Sequence, residues 1–201
     1  MKNKIIKQLT IVSILASTSF ANDIAINSVG FNIGVSNTNY KQTTTTDSII
    51  AIDKPSKSFN SYELYTTLNG VYKREDLKPY LSYTYSSNND LKNQYILTGL
   101  NKYYNHDDIS LYAGVLVGYG ELKWRSNPLV TTQNNDYSST SFILGLQGGV
   151  EYPLNDKFAL NINAKYLKHK YETNLQPATT VSSTIEHKST ASIFVGLSYK
   201  F

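Results

Sequence analysis

Three features of the sequence predict an all-β chain folded as an eight-stranded antiparallel transmembrane β-barrel. From Ser28 onward, hydrophobicity alternates with a period of two rather than 3.6. The polar face of the alternating segments carries Gly30, Gly34, Gly114, Gly118, Gly145, Gly149, Gly196 and Ser198 at mid-strand. Glycine weakens a strand, so a water-facing position would favour Thr, Lys or Glu. Inside a narrow barrel small residues are useful, because opposite walls crowd each other. Aromatics also gather at segment ends in two sets. Tyr72, Tyr80, Tyr103, Tyr152, Phe158 and Phe201 lie near short connections, and Tyr62, Tyr85, Tyr95, Tyr119, Phe142 and Tyr166 lie toward long ones. Two such belts fit two membrane–water interfaces. Alternation alone would equally fit a soluble barrel or sandwich with its apolar face inward.

The first segment sets Val29, Phe31, Ile33 and Val35 against Gly30, Asn32, Gly34 and Ser36. The second, within Ser58 to Tyr72, sets Tyr62, Leu64 and Leu68 against Glu63, Tyr65, Thr67 and Asn69. The third, Lys78 to Ser86, has Leu81, Tyr83 and Tyr85 on one face and Tyr80, Ser82 and Thr84 on the other. Gln94 to Tyr104 is ambiguous, since Tyr95, Ile96 and Leu97 put bulk on both faces. The fifth sets Ile109, Leu111, Ala113, Val115, Val117 and Tyr119 against Ser110, Tyr112, Gly114, Leu116, Gly118 and Gly120. The sixth has Phe142, Leu144, Leu146, Val150 and Tyr152 opposite Gly145, Gln147, Gly149 and Glu151. In the seventh, Phe158, Leu160, Ile162, Ala164 and Tyr166 alternate with Asn161, Asn163 and Lys165. The last alternates Ala191, Ile193, Val195, Leu197, Tyr199 and Phe201 with Ser192, Phe194, Gly196, Ser198 and Lys200.

The connections differ in kind. Asn37–Lys57, Leu122–Ser138 and Lys168–His187 read as long polar loops, with low-complexity patches at Thr43–Thr46 and from Thr179. Lys73–Leu77, Asn105–Asp108 and Pro153–Lys157 read as tight turns. Ser86–Leu91 is short where a long connection is expected. Long loops on one side and short turns on the other match the outer-membrane arrangement, with the long loops facing out.

Residues 1–21 read as a signal peptide, with residues 22–201 as the barrel domain. Lys2, Lys4 and Lys7 form a positive start, Leu9–Ala16 an apolar core, and Ser19-Phe20-Ala21 a cleavage site before Asn22. The apolar run falls short of the roughly 20 residues that a spanning helix needs. Without those three lysines the 19 basic side chains fall to 16 against 15 acidic, so the formal charge of +4 overstates the barrel's charge. A near-neutral chain gives no electrostatic case for nucleic acid. A mean hydropathy of −0.33 suits a barrel, in which only one face of each strand must be apolar. The sequence has no cysteine, so it has neither disulfides nor a thiolate metal site. No cofactor motif is present.

The ending Ile193-Phe194-Val195-Gly196-Leu197-Ser198-Tyr199-Lys200-Phe201 resembles the C-terminal strand signal of outer-membrane β-barrel proteins. Gly148-Gly149-Val150-Glu151-Tyr152-Pro153-Leu154 resembles the sixth strand and turn of small OmpA-like and OmpX-like barrels. The resemblance implies a bacterial outer-membrane location, contact with outer-membrane lipid and lipopolysaccharide, and reading of the strand ending at Phe201 by the barrel-assembly machinery. Its motifs speak to location and assembly, not activity, and imply a structural or surface-interaction role with an extracellular ligand met through the loops.

Candidate chemistry is sparse, and no catalytic, cofactor-binding or metal residue is assigned. His106 reads as an exposed turn residue, and His169 as part of a solvated basic patch with Lys168 and Lys170. His187 and Ser189 stand two apart, so on a strand they share a face. The pair is similar to the His-x-Ser element of outer-membrane lipid A deacylases, but Thr190 stands where that family has Asn. An exposed-loop position is the expected one. Glu63, Glu151, Lys102, Lys165 and Lys200 are expected at barrel depth, paired with one another rather than lining a solute path, because eight strands leave room only for side chains. Tyr65, Tyr112, Leu116, Gln147, Asn161, Asn163 and Phe194 are expected to fill that interior. Trp124 and Arg125 are candidates for an exposed contact surface. A narrow porin-like channel and a lipid A-modifying enzyme are the alternative functions.

Overall fold

The computed structural model describes residues 25–46, 49–54, 56–69, 74–124, 138–178 and 181–201. The 1–21 segment, Tyr72 and Arg125 therefore lie outside the described residues. Among the described residues nine strands are present: β1 (Ala25–Thr46), β2 (Ile49–Asp53), β3 (Ser56–Asn69), β4 (Leu77–Ser87), β5 (Leu91–His106), β6 (Ile109–Trp124), β7 (Ser138–Pro153), β8 (Phe158–Ala178) and β9 (Val181–Lys200). Each pairs antiparallel with the next along the wall, and β1 pairs with β9 to close it. β2 is not a stave of the barrel. It folds back on the far end of β1, from Gln42↔Asp53 to Thr46↔Ile49, so eight strands form the wall.

Ala25 and Phe201 lie at one end, where the Phe201 amide donates to the Asn27 carbonyl at 3.1 Å. The β5–β6 and β7–β8 turns at this terminal end are tight. Asp107 adopts a left-handed φ of 48°, which a short polar side chain tolerates. Asn155 accepts from the Lys157 and Phe158 amides at 2.9 Å. At the distal end the β4–β5 connection is also tight. Asn88 accepts from the Asp90 and Leu91 amides there at 3.0 and 2.8 Å, as its Asn-rich sequence implies.

The membrane face is the predicted one: Phe31, Val115, Leu146 and Ile193 point away from the barrel and are 52–62% exposed. The seven expected filling groups are all buried on the other face. At two of the inward glycines an aromatic ring lies over the backbone. A Cβ on Gly149 would stand 2.6 Å from the Tyr112 hydroxyl, and one on Gly30 would meet the Tyr65 ring.

Two sets of expectations are corrected. The first concerns the long loops, which are largely strand. β1 runs on to Thr46, β8 to Ala178, β9 starts at Val181, and β6 extends to Trp124. The physical reason is an inversion of the hydrophobic phase. Up to the distal aromatics the apolar residues face outward; beyond them they face inward. On β8, Ile162 and Tyr166 are exposed, whereas Leu167 and Tyr171 are buried and Lys168 and Lys170 point out. On β6, Val117 and Tyr119 point out, whereas Leu122 and Trp124 are buried. Above the belt the wall is built like a water-soluble barrel, with an apolar core that includes Phe59, Leu91, Leu122, Trp124, Ile143, Leu167, Tyr171 and Ile185. The second set concerns the belts. Tyr80, Tyr95 and Tyr103 are buried inside the barrel rather than set in a belt.

Candidate functional site

The barrel interior and its distal mouth hold the candidate residues. At mid-depth Lys165 of β8 crosses the lumen to Glu63 of β3, and both side chains are fully buried. The Lys165 ammonium also donates to the Tyr80 hydroxyl at 2.7 Å and lies over the Tyr80 and Phe194 rings. Glu63 accepts from Asn32 at 2.8 Å and Thr84 at 3.2 Å. The charge pair is thus fixed from five strands: β1, β3, β4, β8 and, through Phe194, β9.

Other lumen side chains are also hydrogen-bonded from strand to strand. Ser86, Ser61, Ser36 and Ser192 form a hydroxyl chain across β4, β3, β1 and β9, with steps of 2.7, 2.6 and 2.7 Å. Toward the terminal end Tyr103 donates to Glu151 at 3.2 Å. Asn163 donates to Asn161 and Asn161 to the Tyr112 hydroxyl, at 2.9 and 3.2 Å. Gln147 reaches Asn101 at 2.7 Å. Glu63, Glu151 and Lys165 are interior groups, as expected. Lys102 is not: it lies on the outward face of β5, partly exposed, and pairs with Asp76 at the terminal turn. The pattern of its segment was ambiguous, and the register of β5 turns Asn101 and Tyr103 inward instead.

At the distal mouth, beyond the membrane-spanning part, three expectations are corrected. His187 is not in an exposed loop: it is fully buried, stacked on Tyr40 at 5.2 Å and edge-on to Trp124 at 5.8 Å. Neither of its ring nitrogens has a hydrogen-bond partner, so it does not engage Ser189. His169 is likewise buried rather than part of a solvated patch. Its Nδ1 lies 3.2 Å from the His187 carbonyl and its Nε2 2.9 Å from the Thr190 hydroxyl. The carbonyl can only accept, so Nδ1 carries a proton; in the neutral ring Nε2 then accepts from the Thr190 hydroxyl. Burial holds the His169 imidazole down at about 4 and, with the nearby His169 and Lys57, holds His187 at about 3. Trp124 is not an exposed anchor but part of the core, roofed by Lys57, which lies 5.8 Å over its ring and pairs with Asp90 at 2.5 Å. His106 is exposed, as expected. The signal that would have placed these residues inside is the phase inversion, which puts His169, His187 and Trp124 on the inward face.

Outside the wall, Val35, Asn60, Ser87, Asn88 and Asp90 line an open cleft of about 340 Å³. Beside it stands the β1–β2 hairpin, where Ile49, Ile50 and Ile52 are exposed.

The profile of the family described as "Outer membrane protein beta-barrel domain" matches residues 9–201. Among solved structures, Neisserial surface protein A aligns with a TM-score of 0.58 and 16% identity over 85% of this chain and 97% of that one. The attachment invasion locus protein Ail of Yersinia pestis aligns with a TM-score of 0.43 and 15% identity, over 88% of this chain and 100% of Ail. The outer membrane protease OmpT of Escherichia coli aligns with a TM-score of 0.46 and 9% identity, over 92% of this chain and 100% of OmpT. No curated protein matches the sequence.

Proposed function

This chain belongs to the outer membrane protein beta-barrel family and lies in the bacterial outer membrane, and from that premise we propose that it is a closed, non-enzymatic scaffold with a structural or surface-interaction role. The observation that carries this reading is the lumen itself, crossed at mid-depth by the buried Lys165–Glu63 pair. The distal end faces outward and holds the β1–β2 hairpin and the cleft beside it where an extracellular partner can reach them. Residues 1–21 are removed on export, and the strand ending at Phe201 is read by the assembly machinery.

Planar-bilayer recording of the refolded protein tests the closed lumen: no stable single-channel steps are expected. Steps that persist when Glu63 or Lys165 is replaced would establish a pore instead. Lipid A from cells expressing the parent, His187→Asn and Ser189→Ala proteins is expected to be the same; a difference in acylation would make the chain an enzyme.

A further inference from the structure

Above the distal aromatics the wall is not laddered all the way round. Among the described residues, the backbone pairing of β7 with β8 ends at Ile143↔His169, where β8 is bulged between Lys168 and Tyr171. Beyond that pair side chains join the two strands. The Ser141 hydroxyl stands in the place of a rung: it accepts from the Lys170 amide at 2.8 Å and donates to the Phe142 carbonyl at 2.9 Å. The Ser139 hydroxyl accepts from the Glu172 amide at 2.9 Å. On the opposite side of the barrel, β3 pairs with β4 only as far as Asn60↔Ser87. The open cleft lies there. It is crossed by the Asn88 side-chain amide, which donates to the Ser58 carbonyl at 3.2 Å, and by the Lys57–Asp90 pair at 2.5 Å.

These two seams divide the distal wall into two sheets. One is β8–β9–β1 with β3 and β2, and the other is β4–β5–β6–β7. Within each sheet the backbone ladders continue upward. Tyr171 pairs with His187 and His187 with Tyr40 in the first; Leu91 pairs with Trp124 and Lys123 with Ser138 in the second. The distal core lies between them. Phe59, Tyr171 and Ile185 come from the first sheet, and Leu91, Leu122 and Trp124 from the second. Trp124 meets His187 edge-on, and the Tyr171 hydroxyl lies against Gly120, where a Cβ has no room. Trp124 Nε1, the Tyr171 hydroxyl and both His187 nitrogens are buried without a hydrogen-bond partner. The closed arrangement therefore bears the desolvation of polar atoms that parted sheets would return to water, and parting breaks no backbone ladder.

We infer that the distal end is a jaw: its two sheets part and close as units across the Ser139/Ser141 and Lys57–Asp90 seams, hinged at the aromatic belt, and parting exposes Trp124 and His187. Below the hinge the β3–β4 and β7–β8 ladders are formed and the Lys165–Glu63 pair crosses the lumen, so the membrane part stays shut while the jaw moves. The latches suit such a motion. A hydroxyl exchanges its partner for water at little cost, and Lys57 and Asp90 are partly exposed, where an ion pair holds weakly. The inference goes beyond the closed lumen and does not depend on which way the distal end faces.

The chain has one tryptophan and no cysteine, which makes Trp124 a single reporter and leaves engineered thiols without competitors. The test uses the full-length protein refolded in phosphatidylcholine nanodiscs. It reads acrylamide quenching of Trp124 and the rate at which diethylpyrocarbonate modifies His187, with the exposed His106 as internal reference. S139A/S141A/D90N, which loosens both seams and leaves the core side chains in place, is expected to raise His187 modification at least fivefold and the quenching constant at least twofold, with the parent's urea midpoint retained. A second variant, K57C/D90C/T140C/E172C, places thiols across both seams, Thr140 and Glu172 being on the outer face. Joined by short bis-methanethiosulfonate linkers, with the pairs verified by peptide mass, it is expected to modify His187 at least fivefold more slowly than the same protein unlinked. Equal rates linked and unlinked, or a triple variant that matches the parent, would overturn the jaw. So would a urea midpoint that falls in step with the His187 rate, because the whole barrel would then be unfolding.

Discussion

Lys165 and Glu63 hold each other inside the wall, and neither could be buried alone. Removing one partner leaves an uncompensated charge, so Lys165→Met or Glu63→Gln is expected to destabilise the barrel by about 3–5 kcal/mol, whereas the double change Glu63→Leu/Lys165→Met recovers most of the loss. Urea titrations in lipid vesicles, followed by tryptophan fluorescence, measure both. The two distal histidines make a different prediction. Both are neutral in the fold, with pKa values of about 4 for His169 and about 3 for His187, below the ordinary 6.5. Above pH 6.5 they cost nothing. As pH falls below 6.5 the unfolded chain takes up protons that the fold refuses, so stability drops by about 1.4 kcal/mol per unit for each histidine until the folded values are reached. Unfolding measured at pH 8, 6 and 5 is expected to show this slope, and His187→Phe to reduce it; a flat profile in the parent would contradict the burial.

At the level of strands, β9 shows the two faces most plainly. Val195→Arg puts a cation into lipid and is expected to cost about 2–4 kcal/mol. Gly196→Val acts on the other face, where a Cβ would strike the Phe31 carbonyl and Asn32, so it is expected to lower the folded yield. Above the belt the rule reverses: Leu167→Ala is expected to cost about 2–5 kcal/mol, and Lys168→Leu far less. Heat-modifiable migration on gels ranks all four. These contrasts also explain how far the sequence could be read. Within the membrane, alternation placed the described strands apart from β5, whose pattern is ambiguous, and residues such as Tyr112, Gln147 and Asn163 fell on the expected face. The distal extensions were harder, because Lys168, Lys170 and Glu172 on the outward face make the segment look like a polar loop. Leu167, His169 and Tyr171 continue the same period of two with the faces exchanged, a signal visible only once the strand is divided at Tyr166. The tyrosines at 80, 95 and 103 misled for a related reason: an aromatic at a strand end serves a belt or a core equally well, and only the register decides.

For the whole molecule, the wall passes through two solvents and obeys each in turn. Its lower part is turned inside out relative to its upper part, with the exchange at Tyr119, Phe142 and Tyr166. That gives the barrel a waterline. Sinking it by one pleat would draw Lys168 into hydrocarbon, and raising it by one would lift Tyr119, Phe142 and Tyr166 off the interface, so its draught is fixed by composition. In a thicker bilayer the lipid must thin to meet the same ring of side chains, because the hull does not shift its load.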